Sequence, residues 1–186
     1  MKYIKKLKGT KVYLSPIDLE DAPKYAQWLN DLDVTRYLAM GAASLTLERE
    51  REILSHISAE HNYAIVDAAT NELVGNVGLM DLDNLNRTAE IGIFLGDKSK
   101  WNKGFGYDAM TLLADYAFHV LGVRNLMLRA FDFNERGLAC YKKVGFKEIG
   151  RRRQAHFWNG EYYDIVLMDL LAEEFGPSRI PSLSLG

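Results

Sequence analysis

Short runs of apolar residues, broken by polar turns, cover most of this chain, and their periods sort into strands and helices. Lys11-Val12-Tyr13-Leu14 alternates and reads as a first strand. Asp18-Leu19-Glu20-Asp21 then reads as a helix start, with Asp18 as the cap and acids in the first turn. Tyr25, Trp28 and Leu29 form the apolar stripe of that helix. Residues 31–40 read as a short helical or irregular stretch. A second helix is predicted from near Thr46 to about His61, with Leu47, Ile53, Leu54 and Ile57 on its buried side.

The period then changes. Tyr63–Val66, Leu73–Met80 and Ala89–Leu95 read as three strands joined by tight polar links, which predicts an antiparallel meander. After a loop over 96–103, Gly104–Leu121 is the clearest helix, with Ala109, Leu112, Leu113, Tyr116, Ala117 and Val120 on the 3.6-residue period. Asn125–Phe131 reads as a strand and Glu135–Val144 as a short helix ended by Gly145. Lys147–Ala155 and Glu161–Met168 form a closing hairpin through Trp158-Asn159-Gly160. The expected class is α/β (α+β): a mixed, mostly antiparallel central sheet of about seven strands flanked by helices. Residues 1–175 are expected to form one domain. Residues 176–186, with Pro177 and Pro181, are expected to be a loose or docked tail.

Composition narrows the function. A chain of 186 residues can bury about 70% of its unfolded surface in a single core. The net charge of −2 argues against a generic nucleic-acid binder. The lone Cys140 cannot close an intramolecular disulfide, so a reducing compartment is expected. The N-terminus has charge without an apolar stretch behind it, and Ile165-Val166-Leu167-Met168 is far too short to span a bilayer. These readings predict a cytoplasmic protein with no membrane partner.

The candidate chemistry begins at Trp101-Asn102-Lys103-Gly104-Phe105-Gly106-Tyr107. Free backbone N–H groups and the positive end of the dipole at a helix start attract an anion, and glycines let a pyrophosphate come close. Gly104-x-Gly106-x-x-Ala109 also satisfies the dinucleotide fingerprint, with Asp132 after the next strand, so a dinucleotide-binding oxidoreductase is the alternative. That fingerprint should follow its strand at once, yet eight residues separate Leu95 from Gly104. No P-loop and no G-x-S-x-G elbow occurs. His56, His61, His119 and His156 have no metal-ligand spacing, so no metal is expected. Cys140 reads as a small buried apolar residue.

Downstream stands Asn134-Glu135-Arg136-Gly137-Leu138-Ala139-Cys140-Tyr141-Lys142-Lys143-Val144-Gly145-Phe146. Glycine loop, helix, strand and then N-x6-Y-x3-G-F, in that order, resemble the GNAT superfamily of acetyl-CoA-dependent N-acetyltransferases. Within it, the chain is similar to the bacterial branch of ribosomal-protein N-terminal and spermidine acetyltransferases, from near Val12 to near Leu171. The resemblance implies the GNAT-like acyl-CoA N-acyltransferase fold with acetyl-CoA as cosubstrate. Asn102, Lys103, Gly104, Phe105, Gly106 and Tyr107 would hold its pyrophosphate. Phe94 and Leu95, on a strand splayed away from the strand at Leu126, would pair with the pantetheine arm, and Asn134 would contact the cofactor. Tyr141 would lie beside the sulfur, and Glu90 stands near the general-base position of the histone-acetylating members. Where the family often has Gln or Arg three residues before the first glycine, this chain has Trp101.

Direct attack on a thioester needs a deprotonated amine, a stabilised oxyanion and a proton for the leaving thiolate. Glu90 is the expected base, with solvent or Arg87 as the competing partner of its carboxylate. Backbone N–H groups near Phe94 are the expected oxyanion donors, and Tyr141 is the expected acid. A non-catalytic CoA-binding module is the remaining alternative. The acceptor is expected to be a small-molecule amine, such as a polyamine or amino sugar, or a peptide N-terminus. By analogy with the family, the first two helices and the last hairpin form its cleft. There Asp31 and Asp33 suit a polyamine, while Arg151, Arg152, Arg153 and His156 suit an anionic substrate. Trp28, Tyr37, Phe157 and Trp158 are candidate cleft aromatics. The family also makes a homodimer an expectation.

Overall fold

A computed structural model describes residues 2–39, 41 and 43–180. The strands are β1 (Leu7–Lys8), β2 (Val12–Pro16), β3 (Asn62–Asp67), β4 (Leu73–Asp83), β5 (Thr88–Leu95), β6 (Asn125–Phe131), β7 (Lys147–Trp158) and β8 (Glu161–Leu171). The helices are α1 (Ala22–Leu29), α2 (Leu32–Thr35), α3 (Leu47–Ile57), α4 (Phe105–His119), α5 (Glu135–Val144) and α6 (Ala172–Phe175). All eight strands join one sheet in the order β1-β2-β3-β4-β5-β6-β8-β7. The strand beyond the expected seven is β1, two residues paired to β2 and too short for a periodicity signal.

Every neighbouring pair is antiparallel except β5–β6. That single parallel pair excludes a doubly wound dinucleotide fold, which needs a succession of parallel crossovers. The β5–β6 pair is also short: Thr88, Ala89 and Glu90 face Asn125, Leu126 and Met127, and no later residue of β5 pairs with β6. Meanwhile β5 continues along β4 to Leu95 and β6 continues along β8 to Phe131. The two strands therefore part company, and β5 has no strand partner on its β6 side from Ile91 onward, up to Leu95, whose carbonyl accepts from Trp101 Nε1–H.

Alternation assigns the two faces. Ala89, Ile91 and Leu126 join Ala109, Met110 and Leu113 of α4 in the larger core. On the other face, Tyr25, Leu54, Ala64 and Val66 form a second core beneath α1 and α3, with Trp28 and Phe94 packed against it. In α3 the expected stripe is corrected. Leu47 is 38% exposed, whereas Glu50 is 1% exposed: the side of α3 that is covered carries Glu50 and Leu54 and not Leu47. Val120, expected on the buried stripe of α4, caps that helix and is exposed. The tail docks as far as Ile180, where Arg179 N–H donates to Asp115 at 2.8 Å; residues 181–186 lie outside the described part.

Candidate active site

The cleft opened by β5 and β6 leads into a cavity of about 300 Å3. Its walls include Ile93, Phe94 and Leu95 of β5, the turn at Asn102, Gly104, Phe105, Gly106 and Tyr107, and Asn134, Arg136, Cys140 and Tyr141 of α5. Lys103 is exposed and does not line it. Gly104 is the N-cap of α4 at φ 84°, a left-handed conformation that costs an L side chain about 1–2 kcal/mol. It turns the chain so that the first residues of α4, Phe105, Gly106 and Tyr107, line the cavity. At Gly106 a Cβ would come within 3.6–3.9 Å of Leu95, Ile93 and Cys140, so the missing side chain leaves open the space between α4, β5 and α5.

The turn is anchored from outside. Asp108, 7% exposed in the first turn of α4, accepts from the N–H groups of Lys11 at 2.7 Å and Val12 at 3.0 Å. This ties β2 to the glycine turn across 97 and 96 positions of sequence. Trp101 Nε1–H donates to the Leu95 carbonyl at 2.9 Å, joining the turn to the end of β5. Lys11 and Lys100 approach the Phe105 ring at 5.8 and 5.2 Å, and Lys143 approaches Tyr107 at 4.7 Å, so cations surround the turn.

Asn134 caps α5, its Oδ1 accepting from Gly137 N–H at 3.0 Å. Tyr141 stands two turns further on in the cavity wall, and burial pushes its phenol up to about 12, so it stays protonated at neutral pH. Burial also raises the Cys140 thiol beside it, which suits an inert wall residue rather than a nucleophile. Glu90 does not line the cavity. It is the last β5 residue paired to β6, at the crotch of the cleft, on the face opposite Ala89 and Ile91. Glu90 is 8% exposed, and its carboxylate accepts from Arg129 Nε at 2.8 Å, so the partner is Arg129 rather than Arg87.

Of the candidate cleft residues, Tyr37 lines this cavity and Trp158 lines a second one of about 300 Å3 beside α2. Trp28 instead packs on Tyr25 and Phe94, and Phe157 is exposed. Asp108, Arg136 and Lys143 were missed in the sequence. The last two follow from helical spacing, since positions 136, 137, 140, 141 and 143–144 share the face that carries Tyr141.

The Acetyltransferase (GNAT) domain matches residues 11–147, well over half of the chain. This chain belongs to the GNAT family of acetyltransferases. It is 27% identical over 167 residues to the N-acetyltransferase p20 of Bacillus licheniformis, covering 87% of this chain and 93% of that one. It is 27% identical over 164 residues to the spermidine N(1)-acetyltransferase of Escherichia coli K12, covering 88% of each. In three dimensions it matches the spermidine N-acetyltransferase of Vibrio cholerae, crystallised with CoA and spermine, at a TM-score of 0.80. That match is 23% identical and covers 89% of this chain and 98% of the other. The GNAT assignment makes the chain an N-acetyltransferase, and none of the matches supports the oxidoreductase alternative. Among the described residues, no helix is long and apolar enough to cross a membrane.

Proposed function

We propose that the cleft takes acetyl-CoA as cosubstrate and that the acetyl group passes directly to a primary amine in a ternary complex. The observation that carries this is the strand edge of Ile91–Phe94, unpaired on the β6 side and running from Glu90 towards the glycine turn, with Tyr141 across the cavity. An extended chain bearing amides can add to such an edge as a further strand. The pantetheine arm is a chain of that kind, and its pyrophosphate end would reach the α4 N-terminus and its lysines. The residues present therefore fit the group.

In this reading Gly104, Phe105, Gly106 and Tyr107 offer backbone N–H groups to the diphosphate, with Asn102 at the rim. Phe94 and Leu95 hold the arm, and Asn134 borders it. Tyr141 is in the protonated state that an acid needs and gives its proton to the leaving thiolate. Glu90 receives the amine proton through water, with Arg129 holding the carboxylate in place. No covalent enzyme intermediate is needed.

The test measures thiol release from acetyl-CoA against a panel of amines, beside thermal shifts with CoA and NAD. The expected result is stabilisation by CoA, turnover with at least one amine, and loss of turnover in Tyr141→Phe with CoA binding kept. Stabilisation by NAD and not by CoA would overturn the reading. CoA binding without turnover on any amine would leave a binding module.

A further inference from the structure

The charges around the acceptor side are distributed unevenly. Asp31 and Asp33 are both bound by Lys98, at 2.7 and 3.1 Å. Glu90 is bound by Arg129, and Glu148 by Arg151 at 2.6 Å, while Asp132, just past β6, is the exception, with one buried carboxylate oxygen unpartnered. No Asp or Glu lines either cavity, whereas Lys100, Arg136 and Lys143 line the first. A polyamine carries several positive charges and needs free carboxylates to meet them, so the site is poorly suited to one.

Two guanidinium groups stand on the opposite side of that balance. Arg36, at the C-cap of α2, has its guanidinium carbon 4.7 Å from the centre of the Tyr37 ring. Arg136, in the first turn of α5, stands 5.1 Å from the same ring and 3.8 Å from that of Trp101. Among the described residues neither makes a salt bridge, and the buried Arg36 Nε has no hydrogen-bond partner. A guanidinium held beside an aromatic ring still has N–H donors to give, and their fork matches a carboxylate. Two like charges on one ring repel until an anion joins them. Arg36 lines neither cavity, whereas Tyr37 and Arg136 line the first together with the glycine turn. Beyond Tyr37, Phe133 at 6.0 Å and Tyr163, 4.6 Å from Phe133, continue an aromatic floor.

We propose that Arg36 and Arg136 hold a carboxylate on the acceptor, so that the substrate is an amine bearing a carboxylate, such as an amino acid or an acidic peptide N-terminus, and not a polyamine. This rests on the acetyl-transfer reading above. The test compares matched acceptors with the wild-type protein and with Arg36→Gln, Arg36→Lys and Arg136→Gln. The pairs are an α-amino acid against its α-carboxamide, glutamyl against glutaminyl peptides with amidated C-termini, and an ω-amino acid against its amide, with spermidine alongside. Wild type is expected to prefer the carboxylate member by on the order of 10-fold in kcat/KM, the scale of one charge-assisted hydrogen bond. Arg36→Gln is expected to erase most of that preference without raising the KM for acetyl-CoA, and Arg36→Lys to restore part of it.

A second arm needs no turnover. N-acetylglutamate is expected to raise the melting temperature of the CoA-loaded wild type, and the rise is expected to vanish in Arg36→Gln. Equal or better turnover of spermidine or the amides would overturn the proposal. So would an unchanged preference in both variants, or a raised acetyl-CoA KM with the preference intact, which would assign the pair to the cofactor phosphates. If no amine turns over yet the N-acetylglutamate shift follows Arg36, the acetyl-transfer reading fails and the anion site stands.

Discussion

Replacing Glu50 by Gln should make the protein more stable, and only at the alkaline end of its range. The Glu50 carboxyl is buried beneath α1, its Oε2 has no hydrogen-bond partner, and no salt bridge reaches it among the described residues. Burial pushes it up from 4.5 to about 7. The folded state thus holds the proton more tightly than the unfolded chain, so stability falls as pH rises from 4.5 through 7. A rise of that size corresponds to about 3 kcal/mol once the group is fully ionised. Gln keeps the shape and cannot ionise, although its buried amide costs about 1–2 kcal/mol of desolvation. The expected gain is therefore about 1–2 kcal/mol at pH 8, with no gain or a small loss at pH 5. Urea unfolding of both proteins at pH 5, 6.5 and 8 measures it by linear extrapolation. Parallel curves, with the same difference between the two proteins at every pH, would refute the reasoning.

Other expectations follow from the site. Tyr141→Phe should lower kcat roughly 10²–10⁴-fold and leave the Kd for CoA unchanged, as read by stopped-flow thiol release and calorimetry. Gly104→Ala should cost about 1–2 kcal/mol of stability, because its φ of 84° is strained for alanine, and should weaken CoA binding in the same titration. Asp108→Ala leaves the N–H groups of Lys11 and Val12 without their buried acceptor, at a cost of about 3 kcal/mol, and should speed amide exchange at both positions. Arg129→Gln should change the pH–rate profile if Glu90 is the base, while the Kd for CoA stays constant.

Much of the fold was legible because it is local. Helix α5 runs from Glu135 to Val144 and ends at Gly145 as expected, since a C-terminal glycine acts within a few residues of the helix it ends. Strand β6 spans Asn125–Phe131, and the closing hairpin turns at Asn159-Gly160, where both residues adopt positive φ. The glycine turn was legible for the same reason: a helix N-terminus attracts anions whatever surrounds it. Elsewhere the pattern misled. Glu50 lies off the expected apolar stripe, yet it is 1% exposed in a helix that packs against α1, and apolar spacing alone does not report what covers a helix.

By itself, then, the sequence determined the order of the elements, the glycine turn at Gly104 and Gly106, and the spacing that puts Asn134 and Tyr141 on one short helix. It did not determine the charges those residues meet. Lys98 reaches Asp33 across 65 positions, and Arg129 reaches Glu90 across 39. Nor did it determine the cleft, which exists because β5 and β6 share only three paired positions before each follows another neighbour. Such pairings depend on distance in space, which no local pattern records, and they decide which carboxylates are already paired.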